Sequence, residues 1–146
     1  MAVDYDQETA GFWDAFPRDF FDSFAQSVHG AVLDVGCGPG RDALLLSECG
    51  LNLTCLDAST EMVALCQAKG LTAMVGDFMN LSFADASFDG VWAYTSLLHV
   101  PKTEVGQALR EITRVLKPGG ILGLGLIEGD TEGYVTSFKT TGVTKP

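Results

Sequence analysis

The sequence predicts a single doubly wound α/β domain, in which a mostly parallel sheet carries helices on both faces. Its 146 residues suffice for one domain with a core and are too few for two. From Ala31 onward, short apolar runs alternate with amphipathic segments, which is the pattern of parallel strands joined by helices. The stretch "VLDVGCGPGRD" places three glycines at alternate positions after the first apolar run. This spacing predicts a tight turn between a strand and a helix.

Five apolar runs predict the strands. The first, "AVLDV" at residues 31–35, is short and apolar on both faces, as a buried strand is. The others are "LNLTCLD" at residues 51–57, "LTAMVGD" at residues 71–77, a run at about 88–94, and "GILGLGLI" at residues 120–127.

Three segments between these strands predict helices. "RDALLLSECG" has the i, i+3, i+4 spacing of a helix and stops at Gly50, a residue suited to a left-handed cap. "STEMVALCQAKG" opens with Ser59 as an N-cap and ends at Gly70. "KTEVGQALREITRVLKPGG" is amphipathic, and Pro118-Gly119 is expected to end it in a turn.

The chain is expected to divide into three parts. Residues 1–30 are aromatic-rich, helical in tendency and broken at Pro17, which predicts a lid or flank across the sheet. Residues 31–128 are expected to form the core. In residues 129–146 the strand and helix patterns fade, which predicts a loop or a frayed tail.

Composition restricts the expected partners and location. The formal net charge is −10 and the isoelectric point is near 4.3. A surface this acidic repels phosphate backbones, which argues against DNA or RNA as a partner. No apolar run approaches the roughly 18–20 residues that cross a bilayer, so no membrane partner is expected. The acidic first residues lack the pattern of a secretory signal, so we expect a cytoplasmic protein.

The cysteines and histidines predict no metal site. The cysteines are Cys37, Cys49, Cys55 and Cys66. They are scattered, without a C-x-x-C pair, so reduced and buried thiols are expected. The two histidines, His29 and His99, lie far apart in the sequence.

Polar residues lie at the C-terminal ends of the first four predicted strands, where open parallel sheets bind their ligands. They are Asp34 with the glycine turn at the end of strand one, Asp57 at the end of strand two, Asp77 at the end of strand three, and Tyr94, Thr95 and then His99 at the end of strand four. Acids at three successive strand ends suit a ligand rich in hydroxyl and amino groups. Asp57 lies 21 residues after Gly36, about where a carboxylate meets the ribose hydroxyls of a nucleoside. Asp77 is placed to accept a hydrogen bond from an exocyclic amine such as that of adenine.

Four segments resemble the class I S-adenosylmethionine-dependent methyltransferases in their order and spacing. They are "VLDVGCGPG", the acid in "LDAS", "GDFMNLSFADASFDGVWAYTSLLHV" and "LREITRVLKPGG", which together run from about Val32 to Ile127. The resemblance implies a Rossmann-like sheet with the strand order 3-2-1-4-5. It also implies methyl transfer from S-adenosylmethionine to a small-molecule acceptor by in-line displacement, with S-adenosylhomocysteine as the product.

The resemblance further implies which residues would contact the cofactor. Those near its methionine part would be Asp34, Gly36, Gly38, Gly40 and Arg41, with the arginine reaching the carboxylate. Asp57 would bind the ribose, and the adenine ring would be met by Asp77 and Phe78 and packed by Ala58 and Met62. Tyr5 would close over the cofactor, and Tyr94 and Thr95 would line the methyl-donor end.

His99 has two interpretations. Its pKa normally lies near neutrality, and it follows the loop where acceptors approach in this family, so it is the candidate general base. Alternatively, it caps and orders that loop before Val100-Pro101.

Two rival functions stay open at this point. "GPGRDA" satisfies the G-x-G-x-x-A pattern of an NAD(P)-dependent oxidoreductase, although Asp34 and Pro39 do not belong to that fingerprint. The family's sheet normally continues past strand five with a helix and an antiparallel hairpin, whereas about eighteen residues follow Glu128 here. The sheet is therefore expected to be truncated after strand five. The chain would then be a piece of a longer protein, natively short, or a cofactor-binding chain without catalytic activity.

The fifth predicted strand also bears on assembly. It is apolar on both faces, yet in a truncated sheet it would be an exposed edge. The sequence therefore predicts a homo-oligomer, such as a homodimer, that buries this edge.

Overall fold

The computed structural model of the chain describes residues 18–93, 101–127 and 134–140. The elements in chain order are α1 (Arg18–Ser27), β1 (Ala31–Val35), α2 (Arg41–Glu48), β2 (Asn52–Asp57), α3 (Thr60–Ala68), β3 (Thr72–Val75), β4 (Phe88–Ala93), a 3-10 turn (Lys102–Glu104), α4 (Val105–Val115), β5 (Leu116–Ile127) and β6 (Tyr134–Thr140). The strand order is β3-β2-β1-β4-β5-β6. All neighbours from β3 to β5 pair in parallel, which confirms the predicted fold class and the order 3-2-1-4-5.

Two apolar layers cover the two faces of the sheet. Successive residues of a strand point to opposite faces. Accordingly, Val32 of β1 packs in one buried cluster with Phe24 of α1 and Leu46 of α2. Its neighbour Leu33 packs in the other cluster with Ile112 of α4. The predicted helices on both faces are therefore confirmed.

Helix α1 packs on the sheet through aromatic contacts with β4. The Phe24 ring lies 4.9 Å from the Trp92 ring, and the Phe21 ring lies 5.6 Å from it, edge to face. Glycine in the sheet makes room for this layer, because a Cβ on Gly123 would lie 3.0 Å from the Phe24 ring. The helix is a flank of the core. The rest of the predicted N-terminal segment, residues 1–17, lies outside the described residues.

Several helix ends follow their local sequence. Ser59 is the N-cap of α3, and its hydroxyl accepts a hydrogen bond from the Met62 backbone N–H at 3.2 Å. Gly50 and Gly70 follow α2 and α3 with φ values of +93° and +85°, the left-handed conformation that glycine adopts without strain. None of the helices within the described ranges is long and apolar enough to cross a membrane.

The end of α4 differs from the prediction. The helix stops at Val115, and Leu116 is already extended and paired with Phe88 of β4. A residue before proline is disfavoured in the helical region, so Lys117, which precedes Pro118, favours an end of the helix near this point. Regular pairing resumes between Gly90 and Ile121, so the predicted Pro118-Gly119 turn is an irregularity at the start of β5.

The prediction of a loop or frayed tail over residues 129–146 is wrong for residues 134–140. These residues form β6, which pairs antiparallel with β5 from Ile127↔Tyr134 to Ile121↔Thr140. The expectation that β5 is an exposed edge is wrong for the same reason. Backbone groups of β5 that would otherwise lack partners bond to β6, and this removes the argument from which the homo-oligomer was predicted.

Candidate functional site

The glycine turn between β1 and α2 lies at the carboxyl edge of the sheet. Gly36, Gly38 and Gly40 have φ values of +71°, +56° and +93°, which residues with a Cβ rarely adopt. The backbone N–H groups of Gly36 and Cys37 both donate to the Leu56 carbonyl, at 2.7 and 2.9 Å. The turn is therefore tied to the neighbouring strand β2.

Asp34 is buried directly before this turn. The residue is 3% exposed, and its Oδ2 atom has no hydrogen-bond partner among the described residues. Burial raises the pKa of Asp34 well above its ordinary value, and the nearby charges of Asp42, Cys66 and Asp57 raise it further. An unpartnered buried carboxyl oxygen is costly in the protein alone. Asp34 is therefore suited to a ligand that donates a hydrogen bond or carries positive charge.

Asp57 joins the glycine turn to the start of α3. It is the last residue of β2, and its Oδ2 accepts from the Gly38 backbone N–H at 2.8 Å. Its Oδ1 accepts from the Ser59 backbone N–H at 2.9 Å. Each carboxylate oxygen has a second lone pair, so the half-buried group can still accept hydrogen bonds from the hydroxyls of a ligand.

Two side chains of the α3 region donate hydrogen bonds to carbonyl groups of the glycine turn. The sequence pattern did not predict these contacts. The Lys69 ammonium donates to the Pro39 carbonyl at 2.8 Å. The Cys66 thiol donates to the Gly38 carbonyl at 3.2 Å. These contacts fix the direction of the Gly38 and Pro39 carbonyl groups in the turn.

A contact between β4 and α2 was also not foreseen. The Trp92 indole N–H donates to Asp42 Oδ2 at 2.8 Å, across 50 residues of sequence. A buried indole N–H needs such a partner. The contact holds a carboxylate beside the turn, and Asp42 is one of the charges that raise the pKa of Asp34.

Asp77 and Phe78 lie just after β3, which neighbours β2. Asp77 is exposed, and its Oδ1 accepts from the Met79 backbone N–H at 2.9 Å, so the segment turns at this residue. Phe78 is half-buried and packs against the cluster on the α4 side of the sheet. Helix α4 holds the following loop, because Gln107 donates to the Met79 carbonyl at 3.1 Å and Glu111 accepts from the Leu81 backbone N–H at 2.8 Å.

The structure brings most of the predicted site residues to one edge of the sheet. Asp34, the three turn glycines, Arg41, Asp57, Ala58 and Met62 all lie at the carboxyl ends of β1 and β2 or at the N-termini of the helices that follow them. Arg41 is the first residue of α2 and is half-buried, whereas Ala58 is exposed. Four predicted residues, Tyr5, Tyr94, Thr95 and His99, lie outside the described residues.

Three of the four cysteines come together in the fold, although they are scattered in the sequence. Cys37, Cys55 and Cys66 are buried, and their sulfur atoms all lie within 4.8 Å of one another. Cys49 is exposed, so the expectation of buried thiols is wrong for that residue. The three buried cysteines belong to the glycine turn, to β2 and to α3. Sequence spacing therefore carried no signal of their proximity.

Known proteins match this chain over its core. It is 41% identical over 99 residues to a 2-methyl-6-phytyl-1,4-hydroquinone methyltransferase from Synechocystis, covering 62% of this chain and 30% of that protein. In eight curated relatives of this kind, the chain spans 26% to 47% of their own length.

Solved structures match the fold as well. A SAM-dependent methyltransferase from Methanosarcina mazei superposes with a TM-score of 0.70 at 28% identity, covering 79% of this chain and 59% of that one. The cyclase SpnF superposes with a TM-score of 0.65 at 36% identity, covering 73% of this chain and 43% of that one.

The family assignment rests on the part of the chain that holds the site. A model of the methyltransferase domain matches residues 33–124, which is more than half of the chain. The matched range begins just before Asp34 and includes the glycine turn, Asp57, Asp77 and Phe78. It disfavours the nicotinamide-dependent alternative, because the turn on which that alternative depended lies inside the methyltransferase match. The chain belongs to the methyltransferase domain family.

Proposed function

We propose that the chain binds S-adenosylmethionine at the carboxyl edge of its sheet and transfers the methyl group to a small-molecule acceptor. The observation that carries the proposal is Asp34, a buried carboxyl with an unpartnered oxygen beside the glycine turn. S-adenosylmethionine offers an ammonium group and a sulfonium, and so has the hydrogen-bond donor and the positive charge that this position lacks. The donor set therefore fits the ligand.

Electrostatics separates this proposal from the nicotinamide alternative. A dinucleotide would place an anionic pyrophosphate at the glycine turn. Besides burial, which is the largest cause, the charges of Asp42 and Asp57 raise the pKa of Asp34 there. A further anion would increase this repulsion, whereas a cationic ligand would relieve it.

The roles of the individual residues follow from their positions. The methionine part would lie against Asp34 and the glycine turn, with its carboxylate toward Arg41 at the start of α2. The ribose hydroxyls would donate to Asp57. The adenine would lie between the start of α3, where Ala58 and Met62 are, and the turn after β3 that holds Asp77 and Phe78.

Four further roles are part of the proposal and lie on residues outside the described ranges. Tyr5 would close over the ligand, and Tyr94 and Thr95 would line the methyl-donor end. His99 would act as general base only for an acceptor that arrives protonated. Each of these stays a prediction from the sequence.

The reaction depends on alignment more than on acid–base chemistry. When bound, S-adenosylmethionine supplies an electrophilic methyl group, and its transfer removes the positive charge of the sulfonium. The chain contributes a rigid turn and an acid at each of several strand ends, which fix the ligand's orientation. Holding the reacting groups in line can lower a barrier by as much as about 7–11 kcal/mol.

The proposed acceptor is a small organic molecule. The Synechocystis relative is named for methylation of a hydroquinone, which is a small molecule of this kind. The net charge of −10 disfavours DNA and RNA as acceptors, because their phosphate backbones would be repelled. The absence of a nucleic-acid partner stays a prediction, as does the cytoplasmic location.

A second candidate is a chain that uses the same site without methyl transfer. This candidate is supported by the similarity to a protein described as a cyclase, which shares 36% sequence identity with the chain. A methyl-labelled S-adenosylmethionine assay with a panel of quinols, phenols and amines separates the two candidates. Label in an extracted acceptor supports methyl transfer. Ligand binding with no labelled product across the panel, at high protein concentration, supports the second candidate.

The predicted homo-oligomer is a separate question. Since β6 already pairs with β5, any sheet-to-sheet contact between copies would use the outer edge of β3 or of β6. Met74 and Val75 of β3 are exposed, at 37% and 53%. The oligomer stays a prediction, and light scattering that finds a monodisperse monomer would contradict it.

A further inference from the structure

A cluster of three thiols, from Cys37, Cys55 and Cys66, lies beneath the glycine turn and is called the thiol cluster below. The three residues come from the turn, from β2 and from α3. All three are buried, and their sulfur atoms lie within 4.8 Å of one another. The Cys37 and Cys66 sulfurs are 3.5 Å apart. Three soft donor atoms therefore converge from three separate elements on one small volume.

Hydrogen bonding and burial favour the protonated form of Cys37 and Cys55 in the thiol cluster. Hydrogen bonding with Cys55 and Cys66 raises the pKa of Cys37, and burial raises it further. The pKa of Cys55 is also raised, because hydrogen bonding with Cys66 and burial outweigh the lowering effect of Cys37, which is the largest single contribution. Reactive cysteines are thiolates in accessible, electropositive surroundings, so oxidation is disfavoured here. A ligand must bind sulfur strongly enough to displace the protons.

The surroundings favour a cation. The buried Asp34 carboxyl interacts electrostatically with both Cys37 and Cys55, and one of its oxygens has no hydrogen-bond partner among the described residues. The Gly38 carbonyl oxygen also faces the cluster, because it accepts from the thiols of Cys66 at 3.2 Å and Cys37 at 3.5 Å. A positive ion at the centre would be attracted both by the sulfur atoms and by these oxygens.

We propose that the thiol cluster binds one soft monovalent d10 cation, of which copper(I) is the probe, in a three-coordinate sulfur site. Thiolate ligands select copper(I) over hard cations. Structural zinc sites are almost always four-coordinate, and the group found among the described residues contains three ligands. Binding forms metal–sulfur bonds, and each thiol that is deprotonated releases its proton to solvent. No electron is transferred. The proposal is independent of the methyl-transfer function.

The chain contains a matched control for the test. Cys49 is the fourth cysteine and is exposed at the end of α2, outside the thiol cluster. The full reduced chain is titrated without oxygen against copper(I) held by a coloured chelator. We expect the wild type and Cys49→Ser to withdraw one equivalent with equal affinity. Cys66→Ser should bind at least about tenfold more weakly, since loss of groups that support a metal site already costs about 10–100-fold.

Two further measurements on the wild type do not depend on how the variants fold. X-ray absorption of the copper(I)-loaded chain should show three sulfur neighbours around the copper. The midpoint temperature of thermal unfolding should rise by about 4 °C or more, because the ion binds the folded state. The proposal is overturned if the chelator keeps the copper, or if Cys49→Ser loses binding. It is also overturned if the spectrum shows nitrogen or oxygen neighbours or fewer than three sulfurs. Zinc(II) displacing copper(I) would overturn the assigned three-coordinate geometry.

Discussion

Asp34 is a residue whose burial lowers the stability of the chain and whose carboxyl is proposed to bind the ligand. Its carboxyl is buried at the end of β1 with an oxygen that no described group satisfies. Such a group costs roughly 1–3 kcal/mol of folding free energy. Residues held in unfavourable surroundings are concentrated at ligand sites, where the ligand supplies the missing partner. Asp34 is therefore expected to trade stability against ligand binding.

Asp34→Asn is expected to stabilise the ligand-free chain by about 1–3 kcal/mol near pH 8. Because the pKa of Asp34 is raised, the folded chain holds this proton more tightly than the unfolded chain does. The destabilisation is therefore absent below the unfolded pKa, about 3.9, and grows as the pH rises through the folded value. Urea unfolding of the wild type and Asp34→Asn at pH 5 and pH 8 measures the difference between their free energies of unfolding. A stability difference that shrinks with rising pH would contradict the account.

At the scale of the elements, two glycines flank α2: Gly40, in the glycine turn before the helix, and Gly50, after its end. Gly40 and Gly50 share a φ of +93°, but their surroundings differ. A Cβ on Gly40 would lie 2.9 Å from the sulfur of Cys66 and 2.9 Å from a methyl group of Leu71, whereas a Cβ on Gly50 would meet nothing within 4 Å. The two positions therefore separate backbone strain from crowding.

Gly50→Ala is expected to cost about 1–2 kcal/mol, the usual penalty for a left-handed residue with a side chain. Gly40→Ala should cost about 1–3 kcal/mol more, because it adds crowding in a packed interior. Urea unfolding of the two variants beside the wild type gives both values. Equal costs would show that the space behind the turn is not restrictive.

Hydrogen bonds and ion pairs of Arg114 hold the loop after β3 against α4, and these contacts are called the clamp below. Arg114 donates to the carbonyls of Leu81 and Phe83 at 2.8 Å and pairs with Glu111 and Asp85. Arg110, on the same helix, is exposed and has hydrogen bonds to Gln107. The loop that the clamp holds begins just after Asp77 and Phe78.

Arg114→Gln is expected to destabilise the chain by about 1–3 kcal/mol, because two loop carbonyls lose their donor. Arg110→Gln, the control, should stay within about 0.5 kcal/mol of the wild type. Thermal unfolding compares them. An equal effect of both changes would show that the contacts of Arg114 with the loop contribute nothing.

The sequence predicted those elements whose causes are local. The turn glycines, the Ser59 cap, and Gly50 and Gly70 after their helices depend on residues within a few positions, and each lies where the pattern indicated. The thiol cluster depends on how three elements pack, so no spacing revealed it. The same holds for the Trp92–Asp42 hydrogen bond, whose partners are 50 residues apart.

At the scale of the whole molecule, β6 adds a strand beyond β5, which the sequence predicted to be the exposed edge of a truncated sheet. Its run "YVTSFKT" has residues that favour strands but no strict alternation of apolar and polar positions, so periodicity did not identify it. An edge strand need not be apolar on both faces, and a lysine suits an edge because it discourages pairing with other chains. The strand thus separates the apolar β5 from the sheet's edge.

Truncation after Ile127 is expected to expose the edge of β5 and cause self-association. Truncation after Thr140 keeps β6 and should leave the association state of the full chain unchanged. Light scattering over a concentration series compares the two with the full chain. If the shorter form behaves like the longer one, β6 does not protect the edge.

We propose that Asp34 and the glycine turn form a site for an adenosyl ligand that carries a positive group. Calorimetric titration with S-adenosylhomocysteine, which keeps the ammonium group, tests this directly. The wild type and Asp34→Asn are titrated side by side, and NADH is titrated separately as the ligand of the alternative function. We expect saturable one-to-one binding to the wild type, affinity at least about tenfold lower for Asp34→Asn, and no binding of NADH. No heat from S-adenosylhomocysteine at high protein concentration, or tighter binding of NADH, would contradict the claim.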